Sequence, residues 1–142
     1  MNKLPSWKEA LAKRMIIRGR KDPTRALQME EMALLREEYL HQKFETKFLA
    51  LKLEAHYDII KELLYAHMYK QGFSCNHDLL LLVYAQHHFH DFKDENKLIK
   101  ELFSMKLKIH SLKPEKFQDY FEKNEDALKN IISLLKERLR MM

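Results

Sequence analysis

The stretch that decides the fold is the longest uninterrupted apolar run, Leu79-Leu80-Leu81-Leu82-Val83-Tyr84-Ala85. Its 7 residues fall far short of the roughly 20 that a membrane-spanning helix needs. A helix that is apolar on every face lies either at the centre of a bundle or beneath a partner chain. We therefore expect a buried helix here, and we expect it to need more cover than one small bundle provides.

The composition around this run is typical of a single helical domain. The chain has 142 residues, of which 46% are hydrophobic and 33% charged, and that length is enough to bury a core. It contains only 2 glycines and 3 prolines, whereas sandwiches, barrels and doubly wound sheets need many tight turns. We expect an all-α, up-and-down bundle of five to six helices without any sheet. The lone Cys75 excludes a disulfide framework and a cysteine-based zinc site.

The N-terminal segment is strongly basic. Residues 1–25 contain eight lysines and arginines against two acidic residues, whereas the remaining 117 residues carry 18 basic and 19 acidic side chains. Such a segment can bind phosphate-rich partners by releasing counterions, or it can be a solvated leading helix. Because its charges interrupt every apolar stretch, we expect no secretory signal and a cytoplasmic protein that does not associate with membranes.

Helix-capping residues divide the chain. Ser6 followed by Glu9 forms a capping box for a short first helix, which Gly19 ends. We therefore expect residues 1–21 to be a basic N-terminal arm with a short helix, and residues 22–142 to be the bundle.

Further signals predict the boundaries within the bundle. Asp22 and Pro23 begin a long helical stretch that reaches about residue 70 and breaks within 41–46. Gly72 then ends this stretch, residues 74–77 open the apolar helix, and Pro114 begins the last helix.

Histidines are concentrated just after the apolar run. His87 and Asp91 are four residues apart, so on a helix they could form one edge of a metal site, with His88 and His90 beside them. No matching ligand pair stands elsewhere, and histidines also favour the free carbonyls at a helix C-terminus. Glycine-dependent phosphate loops are excluded because only Gly19 and Gly72 are present. We expect no metal and no other cofactor.

Lys106 and His110 form a second candidate pair. Four residues apart on a helix, they would share one face, where the histidine could move a proton and the lysine could hold a phosphate. That chemistry suits RNA cleavage by the adjacent 2′-hydroxyl. The alternative interpretation is two side chains stabilised by the helix dipole in a last turn.

The order of these features resembles that of HEPN domains (higher eukaryotes and prokaryotes nucleotide-binding), notably their archaeal branch. The resemblance covers residues 15–138. Four elements match: a first long helix, a second helix, a glycine turn followed by a histidine, and a segment that ends in a histidine. They are, in order, 19–26 with Glu31, Ala33 and Arg36; 55–64; Gly72-Phe73-Ser74 with His77; and Glu101-Leu102 with Lys106-Leu107-Lys108-Ile109-His110.

This resemblance implies a bundle that forms a homodimer, with the Arg-Asn and His segments of two protomers facing one cleft. In active members the cleft is a metal-independent RNase. In others it is a binding surface, often beside a small nucleotidyltransferase partner in a toxin–antitoxin pair. The residues that the resemblance assigns to the cleft are Ser74, His77, Lys106 and His110.

The chain departs from the RNase pattern where it matters. Lys106 and Leu107 stand where the family has Arg and Asn, and Lys106 lies one residue too close to His110. We therefore expect a non-catalytic, dimeric binding module for a nucleotide, for RNA or for a protein partner. Two alternatives remain: a metal-independent RNase that uses His110 and Lys106, and a purely structural dimer.

Overall fold

The computed structural model describes residues 3–142, and this part of the chain is mostly helical, as predicted. It contains six α-helices, two short strands and two single 3-10 turns, at Thr46–Phe48 and Ile109–Ser111. In chain order these are α1 (Trp7–Ala12), β1 (Ile16–Arg18), α2 (Pro23–Tyr39), α3 (Leu49–Lys70), β2 (Phe73–Cys75), α4 (Leu80–His88), α5 (Lys93–Leu107) and α6 (Pro114–Arg140).

The predicted helix starts are confirmed. Ser6 Oγ accepts a hydrogen bond from the backbone amide of Glu9 at 3.1 Å. Asp22 Oδ1 accepts one from the amide of Arg25 at 3.0 Å. Pro114 occupies the first turn of α6, where a missing N–H costs nothing. Local capping chemistry therefore sets these boundaries.

The break between α2 and α3 is also confirmed, since residues 40–45 leave the helix and a 3-10 turn at Thr46–Phe48 leads into α3. The helix predicted to open at 74–77 begins later, at Leu80. Residues 73–75 form a strand instead.

The prediction that the chain has no sheet is wrong. β1 and β2 pair antiparallel, with Ile16 opposite Cys75 and Arg18 opposite Phe73. Each strand is three residues long, so neither carries the alternation that marks a strand in a sequence. Their pairing joins the N-terminal segment to the end of α3.

The two glycines of the chain meet beside this sheet. The amide of Gly19 donates to the carbonyl of Gly72 at 2.6 Å. Gly72 has a φ of 84°, and a Cβ at this position would lie 2.7 Å from the Gly19 oxygen. Only glycine permits both the backbone conformation and the close approach.

α3 forms the centre of the bundle, and it packs against α2, α4, α5 and α6. Ala26 and Ala33, seven residues apart on α2, face it with at most 2% of their surface exposed. Small side chains at this spacing let the two helix backbones approach closely.

The apolar run lies in α4 and is covered by its own chain. The residues from Leu80 to Ala85 are each at most 3% exposed in the single protomer. α1, α3 and α5 surround this helix, and Trp7 of α1 stacks on His87 with ring centroids 4.4 Å apart. The expectation that this segment needs a partner chain is therefore wrong: the N-terminal segment supplies the missing cover.

The predicted arm therefore packs against the bundle and contributes two side chains to the core, since Ala10 and Ile16 are at most 1% exposed. Residues 1 and 2 of that arm lie outside the described residues. Among residues 3–142, no helix combines the length and the apolarity that crossing a membrane requires.

Candidate functional site

Lys106 and His110 do not form the predicted pair. α5 ends at Leu107, and His110 lies exposed in the 3-10 turn at Ile109–Ser111. The four-residue spacing therefore crosses a helix end, so the two side chains do not stack on one face. Lys106 Nζ instead lies 3.6 Å from Glu54 Oε2 and 5.7 Å from the centroid of the Tyr57 ring.

Tyr57 connects Lys106 to the turn that holds two other predicted site residues. Its hydroxyl donates to Asp78 Oδ2 at 3.3 Å, and Asp78 follows His77 directly. The Nδ1 atom of His77 accepts a hydrogen bond from the amide of Leu79 at 3.1 Å, so this side chain closes the turn that precedes α4. Lys106 and the β2–α4 turn therefore both contact Tyr57.

Ser74 lies within β2, opposite Ile17 of β1, and it is half-buried. Together with His77 it belongs to the β2–α4 region, whereas His110 lies in the 3-10 turn between α5 and α6. Three of the four residues assigned to the cleft are thus brought into one neighbourhood, and the proposed general base is not.

The groups that donate hydrogen bonds to Asp78 are neutral tyrosine hydroxyls. Tyr65 also donates to this carboxylate, at 2.6 Å from Oδ1. Burial and the neighbouring carboxylate raise the pKa of both Tyr57 and Tyr65, and burial raises the pKa of the Cys75 thiol. Neither phenol nor thiol is therefore available as a base or nucleophile near neutral pH, and the cluster anchors the turn to α3.

The charged side chains around Lys106 form ion pairs with one another. Arg36 Nε donates to Glu62 Oε1 at 2.6 Å, and Asp58 lies near both Arg36 and Lys61, at 3.6 and 3.4 Å. The acidic residues Glu54, Asp58, Glu62 and Asp78 outnumber the cations Arg36, Lys61 and Lys106. The surface around Lys106 consequently offers no excess positive charge to a phosphate.

The histidines near the end of α4 are divided among different contacts. α4 ends at His88, so His87 and Asp91 are not one helical turn apart, and that prediction is wrong. His87 stacks on Trp7, His88 stacks on Tyr84 at 4.0 Å, and Asp91 accepts from Arg138 at 2.6 Å. Within residues 3–142, no three histidine, cysteine or acidic side chains gather as metal ligands.

A buried histidine that the sequence analysis did not single out lies beneath this group. His67 is 7% exposed and is hydrogen-bonded to the Tyr84 hydroxyl. Burial, and after it the charges of His88, Arg138 and Lys70, lower the pKa of His67 to about 4. The ring is therefore neutral near neutral pH and serves the packing of the core.

The exposed surface along α5 carries a row of lysines close to the predicted site. Lys93, Lys97 and Lys100 lie on a single face of α5, with Ser104 one turn further along it and Lys108 directly after the end of the helix. Two adjoining hollows of about 400 and 430 Å³ share Lys97 and Lys100, and together they form one groove, called here the α5 groove.

The α5 groove differs from the Lys106 surface in its charge balance. Among residues 3–142 none of its four lysines forms an ion pair. Glu101 is the one acidic residue among those that line the two hollows. The excess positive charge of the sequence lies in residues 1–25, so this groove was not predicted. The sequence feature that indicates the groove is the spacing of its lysines, which stand four, seven and fifteen residues after Lys93.

Comparison with known proteins assigns no family and no function to this arrangement of residues. The chain matches no family model, and no curated protein and no solved structure is similar enough to it to count as a match.

Proposed function

We propose that the protein is a non-catalytic, HEPN-like binding module that holds single-stranded nucleic acid along the α5 groove. The observation that carries this proposal is the row of four exposed lysines without acidic partners. The row extends over about 22 Å at the rise of an α-helix. A phosphate chain laid along it would release counterions at each lysine.

The lining of the groove indicates which part of the ligand is recognised. Its polar residues are four lysines, two amides, Ser104, Glu101 and His90, and no Phe, Tyr or Trp ring lines either hollow. Stacked bases need aromatic platforms, so the contacts fall on the sugar–phosphate backbone. Binding should therefore depend strongly on salt and weakly on base sequence.

The geometry of Lys106 and His110 favours binding over RNA cleavage. Lys106 is engaged by Glu54, and His110 lies beyond the end of α5. An RNase of the family type would need its cation and its histidine in one cleft. The resemblance over residues 15–138 supports the class of module, and Leu107 in place of the family's Asn supports the loss of catalysis.

Fluorescence anisotropy of a labelled oligouridine tests this proposal. Four phosphate contacts predict a slope of about −3 for the logarithm of affinity against the logarithm of salt concentration. In the Lys97→Gln/Lys100→Gln variant, we expect this slope to fall by roughly half. The matched control is Lys8→Gln/Lys13→Gln, which removes two exposed charges from the α1 region.

Two results would contradict the proposal. The first is a loss of binding in the control variant with no loss in the Lys97→Gln/Lys100→Gln variant, since the N-terminal segment would then hold the ligand. The second is cleavage of the oligouridine that His110→Ala abolishes, because the module would then be an RNase.

We further propose that the module forms a homodimer through the solvent face of α2. Five large apolar side chains on this helix are 40% or more exposed: Leu27, Met32, Leu34, Leu35 and Tyr39. Lys21 and Arg25 lie at the start of the helix and Glu38 near its end, so an antiparallel, two-fold pairing brings opposite charges together. This surface replaces α4 as the basis for a dimer.

Light scattering checks the dimer. We expect a mass of twice 17.3 kDa for the unaltered chain and half that value for Leu35→Glu, which places a charge in the centre of the face. Asn130→Glu, at an exposed position of α6 away from this face, is the control for added charge alone. A monomeric unaltered chain would contradict this part of the proposal.

A further inference from the structure

A cavity of about 600 Å³ lies between the α2–α3 connection and α6. Residues 40–44 form one wall, and α6 forms the opposite wall from Glu125 to Ser133. This volume falls in the range of pockets that hold small molecules. Neither the α5 groove nor the solvent face of α2 includes it.

Part of the cavity is apolar. Leu40, Phe44 and Ile132 line it, and the Phe44 ring packs edge-to-face against Tyr39, with centroids 5.4 Å apart. This contact holds the aromatic ring in place. The cavity therefore offers a fixed apolar surface to the body of a ligand.

The charged part of the cavity has a positive excess. Lys136 binds Glu37 at 2.8 Å and Lys52 binds Glu125, so each acidic residue of the lining has its own cation. The two other lysines of the lining, Lys43 and Lys129, form no ion pair with any residue from 3 to 142. They are free to bind an anion.

Lys52 is a fixed cation in the wall. Its side chain is 14% exposed, and its Nζ lies 4.7 Å from the centroid of Phe121 and 5.9 Å from that of Phe44. The rings and the ion pair with Glu125 hold this lysine in place, so it neutralises Glu125 from within the wall.

Behind this wall lies a buried histidine with an unused acceptor. His56 is 1% exposed, and its Nδ1 is 2.9 Å from the carbonyl of Lys52. Burial, opposed by that hydrogen bond, lowers the pKa of His56, and Lys52 and Lys129 lower it further. The ring is thus neutral with a proton on Nδ1, and its Nε2 receives no hydrogen bond from residues 3–142.

We propose that this cavity binds a small phosphate monoester whose alcohol part is aromatic. Lys43 and Lys129 hold the phosphate as two point charges, and the ring of the ligand packs on Phe44. The ion pairs on either side keep Glu37 and Glu125 from repelling the anion. This site is independent of the nucleic-acid groove.

Isothermal titration with phenyl phosphate tests the site. We expect saturable binding to the unaltered chain, and at least about tenfold weaker binding to Lys129→Glu, because a repulsive charge replaces an attractive one. Lys43→Gln, on the exposed connection, should weaken binding as well. Lys97→Glu in the α5 groove is the matched control and should leave the titration unchanged.

Three further ligands test which part of phenyl phosphate the cavity recognises, and one cross-check separates this site from the α5 groove. Inorganic phosphate and benzyl alcohol should each bind at least tenfold more weakly, since each lacks half of the ligand. Equal affinity for benzoate would overturn the assignment to phosphate esters. No saturable heat with phenyl phosphate at millimolar concentration, or an unchanged titration of a folded Lys129→Glu variant, would overturn the site. Lys129→Glu should still bind oligouridine, so this proposal and the nucleic-acid proposal fail separately.

Discussion

A chain without residues 1–20 should lose about 4 kcal/mol or more of its free energy of unfolding. The deletion removes the buried side chains of Ala10 and Ile16 and the stacking of Trp7 on His87. It also removes β1, so β2 loses its partner. Because small domains are stable by only about 5–15 kcal/mol, this loss removes a large part of the total stability. Urea denaturation followed by circular dichroism measures the loss.

The same truncation should change the state of association. With α1 absent, one side of α4 faces water, and exposed apolar surface of this kind drives aggregation. Light scattering should therefore detect larger species. Lys8→Gln/Lys13→Gln keeps the segment and removes only exposed charge, so its stability should be unchanged. A truncated chain with the denaturation midpoint of the intact protein would show that the N-terminal segment does not cover α4.

Arg36→Met should cost about 2–3 kcal/mol at pH 7, because it leaves the Glu62 carboxylate buried without its partner. Glu62 is 6% exposed, and Arg36 Nε donates to it at 2.6 Å. Burial raises the pKa of Glu62 even in the intact pair, and Arg36 is the strongest influence that opposes this rise. Without Arg36 the pKa should rise further.

The pH dependence of this loss has a definite sign. A folded carboxyl with a raised pKa binds a proton more readily than the unfolded one, so lowering the pH stabilises the folded state. The cost of Arg36→Met should therefore be smaller at pH 5 than at pH 7. Urea denaturation at both pH values measures this difference.

Two variants complete the design. Arg36→Met/Glu62→Leu replaces both partners by apolar side chains and should restore most of the stability. Arg25→Met, on the same helix, removes an exposed charge that contacts the Tyr69 ring and leaves no buried carboxylate unpaired, so it should cost less than about 1 kcal/mol. An unchanged denaturation midpoint for Arg36→Met at pH 7 would contradict a structural role for the pair.

Capping residues were the most informative part of the sequence. Ser6, Asp22 and Pro114 act on backbone groups within one turn, so their effect can be predicted without the fold. The burial of α4 was also predictable, because no face of that helix is polar. What covers α4 was not predictable, since Trp7 lies more than seventy residues away in the sequence.

The remaining errors share a physical cause. The spacing of Lys106 and His110 predicts one helical face only if the helix continues, and α5 ends between them. His87 and Asp91 fail for the same reason at the end of α4. The α5 groove was hidden because the net charge of residues 26–142 is close to zero, and only the structure separates paired from unpaired lysines.

The strand pair also constrains the order in which the chain folds. β1 comes shortly before α2 and β2 shortly after α3, so the strands can meet only once these two helices lie antiparallel. The α2–α3 hairpin is a local structure and forms fast, whereas closing a loop of this length first would cost more entropy. We therefore expect the ladder to close late in folding. Local opening of the native protein should begin at this same N-terminal segment.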